Sequence, residues 1–334
     1  MQSTVNMQPR PIVDAGRETL PGKASRTSLA LVKIPTVSIG LPVYNAAQYL
    51  DETIGSILRQ SYTDFELIIS DNASTDRTFP ICRSYAQRDG RIRLFQNDIN
   101  KGAAYNYNKV LELARGRFFL WHAMDDLIEP EFLAVCVDLL NTNPSASVAY
   151  TGARVIDSNG VEIQVPCRPV FFDSMDVVQR FSSALDPIPY NDCAIFGMMR
   201  REILRRTHGM GAYLAADRCF TAELLLHGFF VKSPRVLFSR RKHAHNVDTS
   251  EKFLAWWSPK LVGQITLPQW RVLFENTRTV KRSDLPWYLK FKLYGTLASW
   301  GFRRRVSLLY ELRKGLFSLA AVTCHRHNHH YKNA

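Results

Sequence analysis

The 334 residues carry 46% hydrophobic and 22% charged side chains, the balance of a globular chain rather than a disordered one, and the length calls for one large α/β domain with appended segments. Six cysteines (Cys82, Cys136, Cys167, Cys193, Cys219, Cys324) lie far apart without a C-x-x-C pair, which excludes a zinc ribbon or disulfide framework and leaves reduced, buried thiols. The net charge of +13 is uneven: from Glu251 onward 15 Lys/Arg stand against 4 Asp/Glu, so +11 of it belongs to the last quarter and implies an anionic partner there.

Residues 1–34 mix Pro, Ser, Thr and Arg without the apolar centre of a secretory signal, and a disordered leader is expected. From Thr36, VSIGLPVYN is a β-branched run ending in Pro42 and Asn45, the pattern of a buried strand entering a loop. A helix follows over Tyr49 to Arg59, with Leu50, Ile54, Ile57 and Leu58 on one face, and FELIIS (Phe65 to Ser70) is a second buried strand. The alternation continues with a helix over Ser74 to Arg88, a strand over Ile92 to Phe95 and a helix over Ala103 to Ala114. Next come an extended run from Arg117 to Met124, a helix around Phe132 to Leu140 and a strand from Ser147 to Gly152. Strands alternating with helices predict a mostly parallel, Rossmann-like sheet flanked by helices, whose ligand lies at the carboxyl ends of the strands. The stretch from Gly152 to about Val247 is more broken, with one clear helix over Asp217 to His227 and a strand over Pro234 to Phe238.

The expected organisation is one α/β domain over 35–250, with a first half (35–152) that carries the strand-end loops and a more broken second half (153–250) that builds the other side of the cleft, and a basic helical extension over 251–334. In that extension aromatic and aliphatic residues interleave with Lys290, Lys292, Arg303, Arg304, Arg305, Arg313 and Lys314, as in amphipathic helices. These either lie on an anionic bilayer or pack on the domain with only their charges facing water; no nucleic-acid module is present. No run reaches the roughly 20 apolar residues of a transmembrane helix, so the expected location is cytoplasmic, peripheral to the inner face of the membrane.

Three loops at the strand ends carry the chemistry. Asp71 closes the second strand, where a carboxylate can accept hydrogen bonds from a base or ribose, while Ser74 or Asp76 can cap the next helix. Asp125 and Asp126 follow an apolar strand; adjacent carboxylates repel unless a cation sits between them and an anion, and a diphosphate held through Mg²⁺ or Mn²⁺ fits that need. A helix N-terminus favouring acids through its dipole is the alternative. His122 either lends a ring nitrogen to a cation or is satisfied by backbone.

These residues resemble glycosyltransferase family 2, of the A-type nucleotide-diphospho-sugar transferase fold, over roughly Pro35 to His243. Pro42-Val43-Tyr44-Asn45 resembles its first motif, Asp71 to Asp76 its second, and Asn100-Lys101-Gly102 with Asn106 or Asn108 its third. The resemblance implies an inverting, metal-dependent transfer of a sugar from a nucleotide donor to a hydroxyl on a glycan or lipid-linked acceptor. Pro42, Tyr44, Asn45, Asp71, Asn100, Gly102, Asp125 and Arg241 would then bind the donor, with Arg241 on its diphosphate. Asp125, Asp126 and His243 would hold the metal. The usual Asp-x-Asp-Asp is here Ala123-Met124-Asp125-Asp126, so the first carboxylate is missing.

The resemblance also places the base that deprotonates the acceptor at Asp217, which could equally cap its helix; Glu223 is a reserve on a face expected to be solvated. Pro268-Gln269-Trp270-Arg271 departs from the Gln-x-x-Arg-Trp of processive members, so single transfers are expected. A nucleotidyltransferase of similar fold lacks support because no Gly-rich basic loop follows the first strand. A non-catalytic scaffold is the remaining rival.

Overall fold

The computed structural model describes residues 34–165, 170–189, 192–242 and 250–315. Nine strands form one sheet: β1 Val37–Val43, β2 Phe65–Asp71, β3 Ile92–Gln96, β4 Phe118–Trp121, β5 Leu127–Ile128, β6 Ala146–Ile156, β7 Glu162–Ile163, β8 Met198–Arg200 and β9 Phe229–Arg241. The order is β3-β2-β1-β4-β8-β6-β9-β5, with β7 on the edge of β6. β1 to β4 run parallel, β8 is antiparallel to both β4 and β6, and β9 is parallel to β6. Six strands therefore share one direction and deliver their carboxyl ends to one edge, as the alternating pattern requires.

The helices are α1 Leu50–Leu58, α2 Thr78–Arg88, α3 Ala103–Glu112, α4 Phe132–Thr142, α5 Val177–Leu185, α6 Arg201–Leu204, α7 Ala216–His227, α8 Ser250–Trp257, α9 Pro268–Arg282 and α10 Trp287–Arg303. All seven residues of β1 and of β2 are buried, because helices cover both faces of the sheet. One core layer joins Ile39, Leu41, Leu67 and Leu120 to α1 and α4; the other joins Ile68, Phe119 and Trp121 to α3, α5 and α7. Gly40 lets α3 approach, since a Cβ there would lie 2.6 Å from Val110.

Several elements differ from expectation. α2 begins at Thr78 rather than Ser74, because Ser74, Thr75 and Asp76 bond to the loop after β1 instead of starting the helix. α5 is an additional helix, capped by Asp176, whose carboxylate accepts the Val178 N–H at 2.8 Å. β9 runs thirteen residues through Pro234, which the sheet accommodates by a register shift against Thr151 and Gly152. Cys82, Cys136, Cys193 and Cys219 are buried free thiols; Cys167 and Cys324 lie outside the described residues.

Candidate active site

A cleft of about 530 Å³ opens at the shared strand edge. Its lining includes Pro42 in β1, Tyr44 and Asn45 after it, Asn72 after β2, and Asn100 ahead of α3. Asn45 adopts φ 49°, in the left-handed region that asparagine tolerates, and its Oδ1 accepts the Thr75 N–H at 2.9 Å. In return the Asn45 N–H donates to Ser74 Oγ, and the Ala46 N–H to Thr78 Oγ1 at 2.7 Å. The first two loops are thus laced into one rigid rim.

A chain of amides extends the rim to α3. Asn72 Nδ2 donates to Asn100 Oδ1 at 2.8 Å, Asn97 Nδ2 donates to Asn72 Oδ1 at 2.9 Å, and Asn106 Nδ2 donates to the Ser70 carbonyl at 2.7 Å. Gly102, at φ 86°, opens α3 and donates its N–H to Asn100 Oδ1. A Cβ there would stand 2.7 Å from the Trp257 carbonyl, so α8 can close down on this turn only over a glycine. Asn108 instead pairs with Met210, both giving and accepting at 2.8 Å, and fixes the loop leading to α7.

Asp71 takes a different place from the one expected. Its carboxylate is fully buried, accepts the Ser74 N–H at 3.2 Å and Gln96 Nε2 at 3.0 Å, and does not line the cleft; its neighbour Asn72 does. Asp71 holds the rim together.

Asp125 and Asp126, after β4, also line the cleft. Asp126 is buried and accepts the Arg241 N–H at 2.8 Å. Burial and the adjacent Asp125 charge push its carboxyl well above the usual carboxylate range, against the pull of Arg240 and Arg241. Oxygen donors arranged so that their own negative charge is unwelcome fit a hard divalent cation. Among the described residues no group of three His, Cys, Asp or Glu side chains could hold a metal, and His243 lies outside those residues.

Arg241 lines the cleft, yet its guanidinium is only 1% exposed. Nε donates to the Asp125 carbonyl at 3.0 Å, Nη2 pairs with Glu52 at 2.7 Å, and the group lies 4.5 Å over the Tyr49 ring. It is a brace for the Asp125–Asp126 turn rather than an open clamp, and Arg240 is the neighbouring cation on the cleft wall.

His122 is buried and does not line the cleft. Burial lowers its ring to about 4, so it is neutral, and Nδ1 donates to the Ala123 carbonyl at 2.7 Å. A neutral ring could ligate a metal, but placed outside the cleft lining it does not stand in there for the missing carboxylate.

Asp217 is exposed in the first turn of α7, after Ala215 at φ 64°, and stands outside the residues lining the cleft. Glu223 is not on a solvated face: it is buried, accepts the His208 N–H at 3.2 Å and pairs with His208 Nδ1 at 2.7 Å. Among the lining residues that sequence reasoning missed, Phe253 and Trp256 of α8 stand out because they come from beyond the expected domain. They form an aromatic cluster with Trp257, whose indole N–H donates to the Gly211 carbonyl at 2.8 Å and whose ring lies 5.7 Å from Tyr107. The clue available was three aromatics within five residues just past the expected domain end.

Residues 38–207 match the model of the glycosyl transferase family 2 domain. The chain belongs to that family. Among curated relatives, Escherichia coli chondroitin synthase is 35% identical over 133 residues, covering 40% of this chain and 19% of that protein. Streptococcus pneumoniae glycosyltransferase GlyG is 21% identical over 231 residues, covering 66% and 75%. In four other matches of this family 2 chain, chondroitin synthase among them, the chain spans between 17% and 51% of the relative's length. The crystal structure of S. aureus TarS 1-349 in complex with UDP-GlcNAc superposes with a TM-score of 0.60 at 18% identity, over 85% of this chain and 81% of that one. That likeness establishes the A-type glycosyltransferase fold for this family 2 chain.

Proposed function

We propose that this family 2 chain transfers a sugar from a nucleoside-diphospho-sugar to an acceptor hydroxyl, with inversion at the anomeric carbon. The observation that carries the reading is the pair of cleft-lining carboxylates, Asp125 and Asp126, at the edge where six parallel strands end. The laced rim of Tyr44, Asn45, Asn72 and Asn100 would take the nucleoside, and Arg240 the diphosphate.

Asp125, supported by Asp126, would hold Mn²⁺ or Mg²⁺, which when bound neutralises charge on the departing nucleoside diphosphate. His243 is a further proposed ligand. Arg241 keeps the turn that presents both carboxylates in place. The acceptor oxygen would form its bond to the anomeric carbon from the face opposite the diphosphate as the bond to the phosphate oxygen breaks. Asp217, exposed at the start of α7 outside the cleft lining, is the residue we assign to take the acceptor proton.

Phe253 and Trp256 offer apolar faces against which a sugar ring can stack. We assign residues 35–152 to donor binding, 153–250 to the acceptor side and 251–334 to the basic extension, with α8 contributing to both. A cell-surface glycan or lipid-linked acceptor met on the cytoplasmic side is the acceptor class consistent with the basic extension.

The test is release of nucleoside diphosphate from a panel of sugar nucleotides, with Mn²⁺ and with chelator. Metal-dependent release from one donor class supports the reading. Donor binding without release, across acceptors, would leave a non-catalytic sugar-nucleotide binder.

A further inference from the structure

α10 has two apolar faces, and among the described residues only one of them is covered. At about 100° per residue, Leu293, Leu297 and Trp300 share one stripe and Trp287, Phe291, Tyr294, Ala298 and Phe302 share the opposite one. The first stripe is buried in the domain, where Trp300 Nε1 donates to Asp186 at 3.1 Å and Arg304 pairs with the same carboxylate at 2.7 Å. The second stripe faces outward: Trp287 is 80% exposed, Phe291 74% and Phe302 69%. The helical segment 305–315 continues it with Val306, Leu309 and Tyr310, all exposed.

Of the nineteen exposed large hydrophobic residues among those described, nine fall between Trp287 and Leu312. Scattered exposed apolar side chains are ordinary, whereas a continuous aromatic stripe on one side of a domain marks an interaction face. Of the two alternatives for this extension, the one in which only its charges face water is therefore not met.

The flanks say what the stripe faces. Between Pro286 and Gly315 there are seven Lys/Arg and one acid, Glu311. Glu311 is turned inward and accepts the Gln269 N–H at 3.0 Å, while Lys292, Arg303, Arg305, Arg313 and Lys314 are exposed. Arg305 lies 4.5 Å over the Phe302 ring, with its charge beside the apolar stripe.

We propose that the outer face of α10 and segment 305–315 docks on an anionic lipid surface, lying in the plane of the interface. Trp287, Phe291 and Phe302 enter the headgroup boundary and the flanking cations meet lipid phosphates. A second copy of this chain would bring the same cations against themselves, which disfavours a self-association face. No described helix is long and apolar enough to cross a membrane, in keeping with a surface-lying helix. The proposal does not depend on glycosyl transfer.

The experiment is co-sedimentation of the full chain with phosphatidylcholine vesicles, plain or with about one third phosphatidylglycerol. Binding is expected to be at least tenfold stronger to the anionic vesicles and to weaken with salt. Trp287→Ser with Phe291→Ser, at exposed positions that leave the inner stripe intact, should lower it about tenfold without moving the melting temperature. Lys292→Glu with Arg303→Glu should remove the preference for anionic lipid.

Absence of binding, or equal binding to both vesicles, overturns the proposal. So does light scattering that shows a dimer dissolved by the Trp287 and Phe291 changes while vesicle binding persists.

Discussion

Two buried carboxylates, Glu66 and Asp126, stand at opposite ends of the sheet and have opposite electrostatics. Glu66 lies at the start of β2, next to Ser38 in register. Burial raises its carboxyl, but hydrogen bonds from Ser38 Oγ at 2.6 Å, the Arg115 N–H at 2.9 Å, and the Arg115 and Arg93 guanidiniums outweigh it and hold the group below its ordinary value near 4.5. At the other edge, Asp126 has one backbone donor and an acidic neighbour, and its carboxyl is pushed up. One end of the sheet neutralises its charge from within; the other sets two adjacent carboxylates on a cleft, with Arg240 and Arg241 beside them. That asymmetry is the reason to read the Asp125–Asp126 edge as built for a ligand.

The largest expected break is Asp125→Ala, which should lower metal-dependent nucleoside diphosphate release by at least about a thousandfold in steady-state assays. Asp217→Asn should lower kcat by about 10² to 10⁴-fold and leave the donor KM nearly unchanged, because base and donor site are separate. A variant retaining wild-type kcat removes Asp217 from the mechanism. Glu66→Gln should cost about 2–3 kcal/mol of stability by denaturant titration, since it strips a buried acceptor from two arginines.

The pH dependence of the Glu66 contribution has a definite sign. A group with a lowered folded-state value stabilises fully above its unfolded value and loses that contribution as pH falls through the folded one. The wild type should therefore lose stability below about pH 4.5 more steeply than Glu66→Gln. Parallel acid profiles would show that the ion cluster is neutral to folding. Smaller still, Trp256→Ala should raise one substrate's KM about tenfold with kcat little changed, the signature of a lost stacking surface.

The same comparison shows what was legible in the sequence. The strand edge was, because β-branched runs followed by polar loops announce buried strands and their ends, and Tyr44, Asn45, Asn100, Asp125 and Asp126 all reach the cleft. Roles that depend on partners distant in sequence were not. Arg241 is expected on the diphosphate, but Glu52, 189 residues away, and the Asp125 carbonyl hold its guanidinium. Asp71 stood at the right strand end, but Gln96 and Ser74 draw its side chain into the rim. Phe253 and Trp256 lay hidden because only the folded chain brings α8 over Gly102. Glu66 did leave a trace: a charged residue inside FELIIS needs buried partners, and Arg93 and Arg115 supply them.

The most direct test of the asymmetry is the melting temperature of Asp126→Asn beside the wild type at pH 7, in chelator and then with Mn²⁺ and a nucleoside diphosphate. An amide keeps the oxygen that accepts the Arg241 N–H but removes the buried charge, so the variant should melt about 2–4 °C above the wild type in chelator. Addition of metal and nucleotide should raise the wild type and leave the variant where it was. A variant that melts below the wild type in chelator, with neither protein responding to metal and nucleotide, would contradict the account.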